Sequence, residues 1–169
     1  QTTPHHTAPY HTTEIYRFFL FLDFCNVMEK PAWEGFLLGF ANSKSRLRMM
    51  LLYQASASFS GIVVGTGNKV EDFGVGFFTK YGDGGVDISP IADLTKSEVR
   101  SLSKDLNISN DILSAPPTDG LWDDDRTDEQ QLGLTYEELE EAMSNEDSVH
   151  REKYLSIRKK NIHKMQNIP

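Results

Sequence analysis

The sequence predicts an α/β protein, a parallel sheet with flanking helices, and three observations predict it. Ile62, Val63 and Val64 form an uninterrupted β-branched run, as a strand buried on both faces of a parallel sheet requires. Immediately afterwards the chain becomes rich in glycine and small polar residues, and open α/β sheets place their ligands beyond such strand ends. Helical patterns stand on both sides: residues 44–59 lead into the strand and complete half of a βαβ unit, and residues 94–106 follow the glycine-rich stretch.

Each element has its own justification. Residues 1–13 are polar, carry Pro4 and Pro9, and read as a solvated tail. His5, His6 and His11 there have no cysteine or nearby carboxylate to complete a metal site. Residues 15–29 are densely apolar, and periodicity does not separate a buried helix from a strand, with helix the preferred reading. In residues 44–59, Leu47, Met50, Leu51, Ala55 and Phe59 recur at helical spacing as a predicted buried face. Thr95 with Glu98 forms a capping box ahead of an apolar face of Val99, Leu102 and Leu106. Thr135 with Glu138 repeats that signature ahead of Leu139 and Met143. Between them, residues 114–131 hold Pro116, Pro117, Gly120 and an acidic run, and read as a long surface loop or lid.

Composition narrows the functional classes. A chain of 169 residues is about one domain and can bury roughly 70% of its extended surface, so size alone permits a real core. The net charge of -8 argues against a broad nucleic-acid or anionic-membrane footprint while allowing a local basic pocket. Cys25 is the single cysteine, which excludes an intrachain disulfide and a cysteine zinc cluster and fits a reducing cytoplasm. The apolar run at 15–24 is shorter than the roughly 20 residues of a bilayer span and carries Arg17 and Asp23. It is read as neither anchor nor secretory leader.

The chemistry-bearing stretch is residues 65–87, which mixes glycines with hydroxyls, carboxylates and lysines and reads as a nucleotide site. Glu71, a few residues past the strand end, is the best metal candidate, because magnesium in phosphate sites takes one or two carboxylates plus phosphate oxygens. Lys96 opens a helix, where a cation strengthens an anion site. Asp123, Asp124 and Asp125 are set aside, since three consecutive acids do not face one ion.

The motifs Gly65-Thr66-Gly67-Asn68-Lys69 and Phe78-Thr79-Lys80-Tyr81-Gly82-Asp83-Gly84-Gly85-Val86-Asp87, with Glu71 between them, resemble the signature of the ammonia-dependent NAD synthetases, members of the ATP-pyrophosphatase group. The likeness extends through Ser43 to Met49, Ala115-Pro116-Pro117-Thr118-Asp119-Gly120, Arg126-Thr127-Asp128-Glu129, Leu132-Gly133-Leu134-Thr135-Tyr136 and His163-Lys164-Met165. The resemblance implies a Rossmann-like, adenine nucleotide alpha hydrolase type of sheet. It also implies amidation of deamido-NAD (nicotinic acid adenine dinucleotide) by ammonia at the expense of ATP, through an adenylylated carboxylate. It assigns Thr66, Lys96 and Thr118 to ATP, Glu71 to magnesium, and Arg46, Lys80, Asp87, His163 and Lys164 to deamido-NAD. Lys80 and Asp87 flank the turn at 81–86, whose glycines are expected to let the backbone approach a bulky ligand. A cytoplasmic homodimer is implied as well.

The family's Ser-Gly-Gly-x-Asp-Ser loop is absent from these 169 residues, residues 1–30 match nothing in the pattern, and residues 31–169 carry the synthetase-like domain. The chain therefore reads as a truncated or incompletely represented synthetase. The alternative function is a non-catalytic dinucleotide-binding fragment.

Overall fold

A computed structural model describes residues 34–167. The expectations for the histidine tail, the apolar run at 15–29 and Cys25 lie outside the described residues. The described elements are α1 (Glu34–Ser58), a π-helical turn (Val70–Val75), α2 (Lys96–Asp105), α3 (Asn110–Leu113), α4 (Asp128–Leu132), α5 (Tyr136–Ser144) and α6 (Arg151–Met165). The chain divides into a unit of residues 1–38 and a unit of residues 39–169, and the core and the candidate site belong to the second.

Helix α1 starts upstream of the predicted residue 44 and buries a different face. Ala41, Ser45 and Met49 are buried, whereas Met50, Leu51 and Phe59 are 52%, 49% and 85% exposed. Apolar residues run round this helix, so several faces satisfy the same spacing, and small side chains decide which one packs. Ser45 lies against the turn at 79–83, where its hydroxyl donates to Asp83 Oδ1 at 2.7 Å and accepts from Asp83 N at 3.1 Å.

The predicted sheet is reduced, among the described residues, to one parallel bridge between Val64 and Ile88. Gly65 N donates to Ile88 O at 2.7 Å and Asp87 N to Val63 O at 3.0 Å. Only Val63 of the β-branched run is buried, while Ile62 and Val64 are 60% and 52% exposed. A strand covered on both faces needs neighbours on both sides. Among the described residues, this one finds its backbone partners in Asp87 and Ile88.

The core gathers Val70, Val75, Leu132, Leu134, Tyr136, Leu139, Ala142 and Tyr154, joining the π-helical turn to α4, α5 and α6. At the start of the turn, Asn68 Oδ1 accepts from Val70 N at 3.0 Å and Glu71 N at 3.2 Å. At its end the chain reverses through Gly76 at φ 65, where a Cβ would also come within 2.8 Å of Asn161. Carbonyls left open at a helix end need outside donors. Three residues of α6 supply them: Arg158 to Phe73 and Gly74, Asn161 Nδ2 to Val75 at 3.0 Å, and Lys164 Nζ to Gly76 at 3.1 Å.

Both predicted capping boxes form, at Thr95/Glu98 and at Thr135/Glu138. Leu139 is fully buried as expected, but the predicted face of α2 is not: Leu102 and Leu106 are 42% and 64% exposed. The expected loop at 114–131 ends instead in α4, which Thr127 and Gln130 cap with a third box. No described helix is long and apolar enough to cross a membrane.

These burials separate two leucines that the sequence pattern treats alike. Leu139→Ala is expected to cost about 2–5 kcal/mol, and Leu102→Ala less than about 1 kcal/mol. Urea unfolding of both variants checks this.

Candidate active site

Three threonine-capped helix starts converge on Glu71. Each capping threonine is followed by the residue that enters the site: Lys96 after Thr95, Asp128 after Thr127 and Tyr136 after Thr135. A capping box fixes the direction in which the first helical residue leaves the backbone. Glu71 Oε1 accepts from the Tyr136 hydroxyl at 2.5 Å and from Lys96 Nζ at 3.1 Å. Oε2 faces Asn68 N at 3.4 Å. The Lys96 ammonium also lies 4.7 Å from the centre of the Tyr136 ring. Behind the phenol, Asp128 Oδ2 stands 3.2 Å from the hydroxyl.

A phenol carries one proton, and the shorter contact directs it to Glu71. Burial, reinforced by the Glu71 and Asp128 carboxylates, pushes the Tyr136 phenol far above its usual range, so it remains a donor. Burial likewise pushes Asp128 up, against the bond from Tyr136, and the Glu71 and Asp119 charges add to the rise. Asp128 Oδ2 is the second carboxylate oxygen toward which the Tyr136 hydroxyl can donate. The other oxygen of Asp128, Oδ1, is buried without a hydrogen bond, in keeping with the upward push that burial gives this acid.

The arrangement fits magnesium of the phosphate-bound kind. Among the described residues no three metal-binding side chains gather, and Glu71 Oε2, which accepts only a long bond from Asn68 N at 3.4 Å, is the less engaged of its two oxygens. Magnesium in such sites takes its remaining ligands from phosphates and water.

A second group brings together Arg46, Lys80, His163 and Lys164. Arg46 Nε donates to Lys80 O at 3.1 Å, and Lys80 Nζ to His163 O at 3.3 Å. Lys164 donates to Gly76 and Phe78 carbonyls, and burial pushes its ammonium below the usual lysine range. Asp87 stands apart: Oδ2 accepts from Val63 N at 2.7 Å beside the bridge, and Oδ1 accepts from the Tyr53 hydroxyl of α1 at 3.1 Å. Thr66 is exposed just past the bridge. Thr118 is exposed in a segment tied to α4 by Asp128 N donating to Pro117 O at 3.0 Å.

A cavity of about 230 Å³ is lined by Gly65, Gly67, Asp72, Phe78, Asp83 and Lys164, among others. Gly84 of the turn at 81–86 also lines this cavity, and the turn's glycines lie close to the protein's own side chains as well. A Cβ on Gly82 would meet Ser45 Oγ at 2.2 Å, and one on Gly84 the Phe78 ring at 2.3 Å. Both close approaches require glycine for packing, and the left-handed position in the turn is Tyr81, at φ 67.

Sequence reasoning missed Tyr136, Asp128, Ser45 and Asp83 as site residues. The capping threonines at 127 and 135 were the available signal for the first two.

Burial, with the Glu71 and Asp83 charges, pushes Asp72 up to about 6. Because this folded value exceeds the unfolded one, the group's contribution is complete below about pH 4 and is lost as pH rises through about 6. Asp72→Asn removes that decline. The stability of the wild type relative to the variant should fall by about 1–2 kcal/mol between about pH 4 and about pH 7, solvent screening included. Urea unfolding across that range measures it.

Comparison with known proteins identifies the family. The NAD synthase family model matches residues 10–168. The NH(3)-dependent NAD(+) synthetase of Methanococcoides burtonii is 51% identical over 102 residues, covering 60% of this chain and 38% of that protein. That of Archaeoglobus fulgidus is 45% identical over 121 residues, covering 72% and 48%. The chain thus spans about half or less of these curated relatives. Among solved structures, an NMN synthetase from Francisella tularensis superposes with a TM-score of 0.74 at 32% identity, covering 92% of this chain and 62% of that one. An NH3-dependent NAD synthetase from Campylobacter jejuni gives 0.57 at 25% identity, covering 93% and 62%. With the family model matching residues 10–168, nearly the whole chain, this chain belongs to the NAD synthase family.

Proposed function

We propose that the protein carries out ATP-dependent amidation of deamido-NAD with ammonia, giving NAD, AMP and pyrophosphate. The observation that carries this reading is the Glu71–Lys96 pair, a carboxylate and a cation brought to one point beside the glycine-rich loop. Family membership and the names of the relatives support it. They also favour it over a non-catalytic dinucleotide-binding fragment.

A carboxylate is a poor acyl donor because it is anionic and has no good leaving group. In the proposed reaction its oxygen attacks the α-phosphorus of ATP and pyrophosphate departs. Ammonia then attacks the acyl carbon of the mixed anhydride, AMP departs and one proton is released. The chain's part is alignment and neutralisation of charge. Lys96 is within reach of anionic phosphates at the start of α2, with Thr66 and Thr118 as hydroxyl donors to ATP. Arg46 and Lys80 take the dinucleotide phosphates, with His163 and Lys164 at the same end of the site and Asp87 as a further contact. Magnesium at Glu71 would offset charge on the phosphates.

The same reading takes residues 31–169 as the synthetase domain and includes a Rossmann-like parallel sheet, which the parallel sense of the Val64–Ile88 bridge supports. A cytoplasmic homodimer is part of it too, and the exposed Met50, Leu51 and Leu52 on α1 are suited to a partner surface.

The direct test is chromatography of NAD and AMP formed from deamido-NAD, ATP, magnesium and ammonium by the protein expressed from its whole reading frame. Stoichiometric NAD and AMP support the reading, and absence of both overturns it. In that protein, Glu71→Gln is expected to lower turnover by about 100-fold or more, with deamido-NAD affinity changed less than about twofold. Lys80→Ala should weaken deamido-NAD by about thirtyfold or more and leave ATP affinity in place, as calorimetric titration of each ligand would show.

A further inference from the structure

We propose that Tyr136 is the positioning residue for the Glu71 carboxylate: its hydroxyl, backed by Asp128, fixes Oε1 so that Oε2 is the oxygen presented to a divalent cation. This rests on the reading of Glu71 as the metal-binding residue.

The Tyr136 ring is completely buried among Leu132, Leu134 and Leu139, so the core itself sets where the hydroxyl points. Lys96, the other partner of Oε1, ends a flexible four-carbon stem whose side chain is 24% exposed. A lysine that turns toward phosphates leaves Glu71; a phenol locked in the core does not. Tyr136 N also donates to Glu129 Oε1 at 3.2 Å, which sets α5 against α4 and places Asp128 behind the phenol. Asp128 N reaches Pro117 O, so one chain of bonds runs from Glu71 to the segment that carries Thr118. Groups that orient a metal ligand from behind typically govern metal affinity by about 10- to 100-fold.

The test is Mn²⁺ binding, read from the electron paramagnetic resonance signal of free Mn²⁺ with ATP present, in the protein expressed from its whole reading frame. Tyr136→Phe keeps the buried ring and removes the hydroxyl. It should weaken Mn²⁺ by about 10-fold or more, with deamido-NAD affinity unchanged. Asp128→Asn keeps a hydrogen-bonding group of the same shape behind the phenol and should bind Mn²⁺ like the wild type, whereas Asp128→Ala should bind it more weakly.

Wild-type Mn²⁺ affinity in Tyr136→Phe, alongside a loss in Glu71→Gln, overturns the role of Tyr136 and leaves that of Glu71 standing. An unaffected Glu71→Gln overturns both. If Tyr136→Phe does not fold, by circular dichroism, the Asp128 pair decides: loss in Ala with retention in Asn supports the proposal, and equal affinity overturns it.

Discussion

The site depends on how the π-helical turn Val70–Val75 is held at its two ends. A π-helical turn is a costly local conformation and persists only where its surroundings over-determine it. Here Asn68 secures the amides at its start, and Arg158, Asn161 and Lys164 of α6 secure the carbonyls at its end. Glu71 is the second residue of that turn. Its carboxylate reaches Tyr136 and Lys96 only because both ends are tied. The core beneath, built on Val70, Val75 and Leu139, then fixes α5 and with it the phenol.

That dependence explains what was legible in the sequence. Capping boxes are local signals, a threonine and an acid three residues apart, and the boxes at 95 and 135 could be read without knowledge of the fold. The box at 127 uses glutamine and sits beside prolines and acids, so the loop signals around it masked a helix of five residues. The family resemblance likewise brought Glu71 and Lys96 to notice, and they meet at 3.1 Å.

What failed was whatever depended on distant partners. Which face of α1 is buried was set by the turn at 79–83, whose Asp83 and Gly82 accept only a small residue such as Ser45. The run at 62–64 reads as a buried strand, but burial is conferred by neighbours, and a three-residue run does not specify them. Asp87 shows the same limit at the site: the sequence suggests only a carboxylate flanking a ligand loop, and its partners Val63 N and Tyr53 become visible only in the fold. Tyr136 went unassigned because an aromatic residue at the start of a helix looks like core, which its ring is; only the third dimension reveals that its hydroxyl emerges beside Glu71.

The Lys96–Glu71 contact has a bearing on the order of events at the site. With its acid already neutralised by an ammonium, the locality offers little attraction to a bare dication, which would have to evict a like charge. Under the proposed function, a cation already chelated by a polyphosphate would bring anions for Lys96 to pair with, so release of Glu71 by Lys96 and binding of the metal would be one exchange. On the proposed reading the pair would act as an electrostatic latch, closed to metal alone and opened by the nucleotide that carries it.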